Sequence, residues 1–340
     1  MPLDRPILIV GNPRSGTTLT RSYLERSPSL WRLGRESRFL WTGLEAGRGD
    51  LDALRDEVGA RYARACFRRP EETADNALRF VDRIAAQGTS PWYYELPREV
   101  LLARYGPPPS GPPCPDDPGE IAPFTLWFPA EYPTEAQVRA GLRLLDKDTS
   151  HVYRLPLLRR VFPDARYVFV VRDARSAVSS LIEAWRHPRW FFSHRVPVKL
   201  RIAGYSDRFP WGDHWWNLNL PPDWRELVSR PLAEVCASVW ASGNVAILAH
   251  ADDLAARGQA VTVRYEELVG DPARAMARVA SAVEIEPDEV AVPEGFRAPA
   301  VVTDDAPSPG KWRRNADLIA SVSDVLDPVQ GRLGYPTVTT

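Results

Sequence analysis

Apolar residues in this chain arrive in short uninterrupted runs, each followed by a segment where they recur every three or four positions. The first run, Ile7-Leu8-Ile9-Val10, stops at Gly11. A short apolar run closed by glycine predicts a strand buried on both faces. Leu19, Tyr23 and Leu24 then recur at helical spacing, so a helix is predicted from near Thr17. Leu142-Arg143-Leu144-Leu145 predicts a second strand, ending at Asp146-Lys147-Asp148. A helix carrying Leu155, Leu158 and Phe162 follows, with Pro156 suited to its first turn. Tyr167-Val168-Phe169-Val170-Val171 is the clearest strand, and Val178, Leu181, Ile182 and Trp185 after it form one helical face. A long helix is predicted from about Leu232 to Arg257, stopped by Gly258, and then a strand, Val261-Thr262-Val263-Arg264-Tyr265. Strands alternating with helices predict an α/β fold built on a parallel sheet with right-handed crossovers.

Two stretches interrupt this rhythm. Residues 45–140 read as an insertion, helical over 50–105 and irregular over 106–119, which holds seven prolines. Residues 186–230 lose the pattern and are rich in Trp, Pro and Arg. Trp185 and this stretch (Trp190, Trp211, Trp215, Trp216 and Trp224) carry six of the chain's 12 tryptophans. Such a segment either walls an acceptor pocket, contacts a lipid surface or a partner, or packs on itself as a satellite core. The last 40 residues mix a helix with proline-rich loop. All of this reads as one domain over 1–340.

Composition narrows the chemistry. The formal charge of −1 gives no global field for nucleic acid or an anionic membrane, so an anion site must be local. No apolar run approaches the ~20 residues of a membrane span, and the N-terminus lacks the longer apolar stretch of a secretory signal. The expectation is a cytoplasmic protein without a transmembrane segment. Cys66, Cys114 and Cys236 form no zinc spacing, and no metal-ligand cluster is visible. Of 43 basic residues only Lys147, Lys199 and Lys311 are lysines. A position that keeps lysine in so arginine-biased a chain is a candidate for needing a compact ammonium.

Gly11-Asn12-Pro13-Arg14-Ser15-Gly16-Thr17-Thr18 lies between the first strand and the first helix. Its backbone N–H groups and the helix dipole suit a phosphate-like anion. The glycine spacing matches a Walker A loop, but Thr17 stands where that loop has its lysine, which argues against ATP-Mg. Arg172, at the carboxyl end of the strongest strand, and Ser180, two helical turns on, are placed to clamp a second phosphate.

These two motifs resemble those of sulfotransferases that use 3′-phosphoadenosine 5′-phosphosulfate (PAPS). Pro13-Arg14-Ser15-Gly16-Thr17-Thr18-Leu19 is similar to the loop holding the 5′-phosphosulfate, closest to the tyrosylprotein sulfotransferase branch and its bacterial relatives. The family's arginine–serine pair for the 3′-phosphate resembles Arg172 and Ser180. A further arginine in that branch, one turn after the serine, is Ala184 here. Val263-Arg264-Tyr265-Glu266-Glu267-Leu268-Val269 resembles the late strand whose tyrosine lies near the nucleotide, and Gly310-Lys311-Trp312 the segment that closes over it. The resemblance runs in islands from about residue 6 to 315.

The resemblance implies a P-loop-like sheet flanked by helices, PAPS as donor, no metal, and a hydroxyl-bearing acceptor. Glu36, in Gly34-Arg35-Glu36-Ser37-Arg38, falls where the branch has its general base. Its bland reading is a surface glutamate paired with Arg35 or Arg38. Lys147 resembles the family's lysine near the transferred group, and Arg14 would add charge there. His151, His187, His194, His214 and His250 read as structural. A small-molecule, glycan or lipid acceptor is expected over protein tyrosine. A P-loop kinase and a non-catalytic nucleotide binder of the same fold remain alternatives at this point.

Overall fold

The computed structural model describes residues 3–32, 36–41, 44, 50–66, 82, 103–104, 140–187, 194–209, 212–293 and 310–338. Most of the predicted 45–140 insertion, including Cys114 and the proline-rich stretch, lies outside them, as do Trp190 and Trp211.

Five strands form a parallel sheet: β1 (Ile7–Gly11), β2 (Leu30–Arg32), β3 (Arg143–Lys147), β4 (Arg166–Val171) and β7 (Ala260–Arg264), in the order β2-β3-β1-β4-β7. β1 is central, pairing Ile7 with Leu145 on one side and with Arg166 on the other. Because side chains alternate across a strand, each strand feeds two cores. Leu8, Val10, Leu144, Tyr167 and Phe169 pack with residues of α2 (Leu51–Cys66), α3 (Leu155–Val161) and α5 (Leu232–Ala256). Ile7, Ile9, Leu145, Val168 and Val170 pack against α1 (Thr17–Leu24), α6 (Tyr265–Gly270) and α7 (Pro272–Val283). Burial on both faces is why β1 and β4 are continuous apolar runs.

Two boundaries differ from the sequence reading. Leu30–Arg32 is a strand that the reading lacks, so the strand at Leu144 is third in the chain rather than second. Tyr265 is not the last strand residue but the first of α6. The Glu267 carboxylate accepts the Arg264 backbone N–H at 3.2 Å, closing a helical start before the strand can run on.

A third core joins α4 (Ala174–Arg186), the first half of α5 and α8 (Ser323–Arg332) to the tryptophan-rich segment. That segment carries a short antiparallel pair, β5 (His194–Arg195) with β6 (Trp215–Trp216). Trp185 and Trp216 are fully buried, and their rings meet edge to face at 5.2 Å. Trp215 and Trp224 are buried too. Trp185 and the three described tryptophans of the 186–230 stretch therefore build core. Among the described residues α5 is long and apolar enough to cross a membrane by length and composition, but 56% of its most apolar window is buried inside the molecule.

Candidate active site

Open α/β sheets bind ligands at the carboxyl ends of their strands, where strand order reverses. Here β1 is that switch point, since the chain leaves it toward β2 on one side and later returns as β4 on the other. The ends of β1, β3, β4 and β7 deliver Arg14–Gly16, Lys147, Arg172 and Tyr265 in turn.

After β1 the chain turns through Arg14 (φ 69°) and Gly16 (φ 97°), both left-handed. A Cβ at Gly16 would lie 2.5 Å from the Tyr265 ring, so this position needs glycine both for its conformation and for the tyrosine against it. No side chain caps α1, and its first turn holds no acidic residue. The first N–H groups of the helix, which have no intrahelical partner, point where an anion can meet them. Ser15 Oγ is buried and has no hydrogen-bond partner among the described residues.

Arg172 and Ser180 join this loop directly. Arg172 Nη1 donates to Arg14 O at 2.8 Å, and Arg14 Nε donates to Ser180 Oγ at 2.9 Å. The Arg172 guanidinium lies 4.1 Å over the Tyr265 ring, and its Nε is buried with no acceptor among the described residues. Asp173 caps Ser176 N and pairs with Arg175 rather than Arg172. Burial, and then the neighbouring Arg172, pushes Arg14 down to about 10. Burial also lowers Arg172, against the opposing pull of Tyr265 and Glu266. Two crowded guanidiniums lie beside two buried polar atoms, Ser15 Oγ and Arg172 Nε, that have no hydrogen-bond partner among the described residues, an arrangement suited to an anion.

Lys311 and Trp312, in the 3₁₀ turn Lys311–Asn315, come to the same helix. Lys311 Nζ is 3.4 Å and Arg314 Nη1 3.5 Å from the carboxylate of Glu183, one turn beyond Ser180. Trp312 lies beside the Arg175 guanidinium, 5.2 Å from its ring centre. Thr17 is buried at the start of α1, and Thr18 is partly exposed.

Glu36 is not a surface residue. It is 3% exposed, and Oε1 accepts from Lys147 Nζ while Oε2 accepts the Thr149 backbone N–H at 3.0 Å. Lys147 is equally buried, and burial lowers its pKa, with Glu36 partly offsetting this. Alternation along β3 sends Asp146 to the opposite face. There a single oxygen, Oδ2, meets Ser37 Oγ at 2.8 Å, His151 Nε2 at 2.9 Å and the Tyr62 hydroxyl. Glu36 is thus tied to Lys147, and its neighbour Ser37 to the neighbour of Lys147. Two adjacent residues of one segment straddle the end of β3. His151, fully buried, belongs to this clamp. In sequence Asp146 reads only as the end of a strand, and neither it nor Thr149 or Glu183 carries a site role there. The Asp-Lys-Asp run with period-2 alternation was the one available signal for Asp146.

A sequence profile described as the sulfotransferase family matches residues 6–289. A putative protein-tyrosine sulfotransferase of Caenorhabditis elegans is 26% identical over 143 residues, 42% of this chain and 40% of that protein. Protein-tyrosine sulfotransferase 1 of Mus musculus is 26% identical over 185 residues, 53% of this chain and 34% of that protein. The matched stretch thus spans less than half the length of either relative. Among solved structures, the sulfotransferase domain of the Synechococcus PCC 7002 olefin synthase aligns with a TM-score of 0.46 at 18% identity, covering 98% of this chain and 96% of that one. Sulfotransferase STF9 from Mycobacterium avium aligns with a TM-score of 0.47 at 16% identity, covering 98% and 76%.

Proposed function

The chain belongs to the sulfotransferase family, and from that premise we propose that it transfers a sulfuryl group from PAPS to a hydroxyl acceptor. The observation that carries this reading is the contact of the two anion-seeking groups, Arg172 and Ser180 with the loop Arg14–Thr18, at the strand ends where Lys147 and Glu36 also lie.

PAPS supplies an activated sulfuryl group on a phosphate leaving group. Arg172 and Ser180 take its 3′-phosphate, and the unpartnered Nε of Arg172 donates there. The loop N–H groups and Ser15, Gly16, Thr17 and Thr18 hold the 5′ side, with Arg14 adding charge. Tyr265 lines the pocket from above Gly16, and Lys311 and Trp312 close it from the C-terminal side. Lys147, a buried ammonium, stabilises charge arising on the leaving oxygen. Glu36 accepts the proton of the acceptor hydroxyl. In the structure Lys147 and Glu36 are paired in a buried place, and in the proposed reaction substrate groups take the place of each partner. The proposed steps use no metal, as the family resemblance implies.

Thr17 in the Walker lysine position disfavours the kinase reading. The paired Glu36 and Lys147 favour an enzyme over a binding protein of the same fold, since a buried ion pair is seldom a net source of stability. The test is transfer from labelled PAPS to a panel of phenols, glycosides, lipid alcohols and a tyrosyl peptide. Label in at least one acceptor supports the reading. PAPS binding with no transfer to any hydroxyl, and no change on losing Glu36, contradicts it.

A further inference from the structure

We propose that Asn219, presented by the tryptophan-rich segment, is a positioning residue for Glu36 and acts through Thr149; this rests on the reading of Glu36 as the general base. One buried side chain holds Thr149 at two points. Asn219 Oδ1 accepts from Thr149 Oγ1 at 2.8 Å, and Asn219 Nδ2 donates to Thr149 O at 2.7 Å. Thr149 in turn donates its backbone N–H to Glu36 Oε2. Each member of this chain is buried: Asn219 at 0%, Thr149 at 5% and Glu36 at 3% exposure.

Thr149 opens the 3₁₀ turn Thr149–Tyr153, so its N–H has no partner within that turn. Asp148 caps the turn through Ser150 N at 2.7 Å, which leaves the Thr149 N–H to Glu36. The direction of that N–H follows the placement of Thr149. Asn219 fixes this placement from outside the sheet, 70 residues away in sequence.

The segment around Asn219 is built to hold it still. Trp216 Nε1 donates to Asn219 O at 2.8 Å, and the Tyr205 hydroxyl donates to Trp215 O at 2.6 Å. Between Trp216 and Asn219 the backbone turns through Leu218 at φ 62°. Leucine rarely adopts this left-handed conformation, and it persists only where the surroundings over-determine it. Here it sits one residue before the asparagine that reaches Thr149. The segment's part in the site is therefore the aim of the base, whatever else it does for the acceptor.

The experiment compares Asn219→Ala, Thr149→Val and Thr149→Ser with Glu36→Gln, alone and combined, reading sulfuryl-transfer kcat and the Kd for 3′,5′-ADP. Asn219→Ala and Thr149→Val should lower kcat by about 10–100-fold, the scale of a misplaced catalytic group, with Kd unchanged. Thr149→Ser keeps the hydroxyl and should stay near wild type. In the Glu36→Gln background Asn219→Ala should lower kcat no further, because both act through one group. If Asn219→Ala does not fold, the Val and Ser variants at Thr149 decide alone. Wild-type kcat in Asn219→Ala or Thr149→Val, an equal loss of nucleotide binding, or a full further loss in the Glu36→Gln background overturns the proposal and leaves the function standing. Full turnover in Glu36→Gln itself removes the base assignment and this proposal with it, while sulfuryl transfer stands.

Discussion

Replacing Glu36 by glutamine tests the centre of the site in two ways at once. Glutamine keeps the size of the side chain and an oxygen for the Thr149 N–H, but it removes the charge facing Lys147. Both partners are buried, Glu36 at 3% and Lys147 at 6% exposure, so water cannot screen what is lost. Breaking a buried pair by removing one partner typically costs about 3–5 kcal/mol. Lys147 has one escape, which is to shed its proton. Neutralising a lysine at pH 7 from an ordinary value near 10.4 costs about 4.6 kcal/mol, which sets a ceiling. The starting point is already lowered by burial, so the loss should fall below that ceiling. Turnover should fall by about 10²–10⁴, the usual contribution of a general base. Glu36→Gln with Lys147→Met removes both charges and should recover most of the stability but none of the activity. Urea denaturation reads the first effect, and transfer from labelled PAPS the second. A single variant as stable as wild type, or a double variant no more stable than the single, would refute the buried pair as drawn.

Two further outcomes follow from the pocket itself. Gly16→Ala forces a side chain into a left-handed position and into the Tyr265 ring. It should cost about 1–3 kcal/mol and abolish nucleotide binding, and calorimetry showing wild-type affinity would be the contrary result. The second concerns pH. Burial depresses Lys147 and Arg14, the latter to about 10. A cation with a depressed pKa is charged at low pH and loses its proton early as pH rises. The donor kcat/KM, which reports the free enzyme, should therefore fall on the alkaline side before the ordinary lysine range near 10.4. A profile flat through that range would contradict the assignment of Lys147.

The parts of the molecule that were legible in sequence share a physical cause. Ile7–Val10 and Tyr167–Val171 are buried on both faces, so they appear as unbroken apolar runs. Arg172 and Ser180 lie close in sequence and follow the stronger of these. β2 carries no apolar run, because only Trp31 of its three residues is buried. Tyr265 continues the strand pattern in sequence, but its helix starts through Glu267, a local hydrogen bond that interrupts an otherwise extended run. The remaining site residues are brought in by distant segments. Asn219 meets Thr149, and Glu183 meets Lys311, across separations that no period encodes. The tryptophans read equally well as a pocket wall or as core, since composition is the same for both. Trp185, Trp215, Trp216 and Trp224 are core.

The account rests on Arg172 and the Arg14–Thr18 loop holding the two phosphates of one nucleotide. Calorimetric titration of the wild-type protein and of Arg172→Ala with 3′,5′-ADP and with 5′-AMP tests this most directly. The account predicts a single site that binds 3′,5′-ADP more tightly than 5′-AMP by about 10–100-fold, the worth of a charged hydrogen-bonded contact of about 1.5–3 kcal/mol, with that preference lost in Arg172→Ala. Equal affinity for the two nucleotides in the wild-type protein, or a preference that survives in Arg172→Ala, would contradict it.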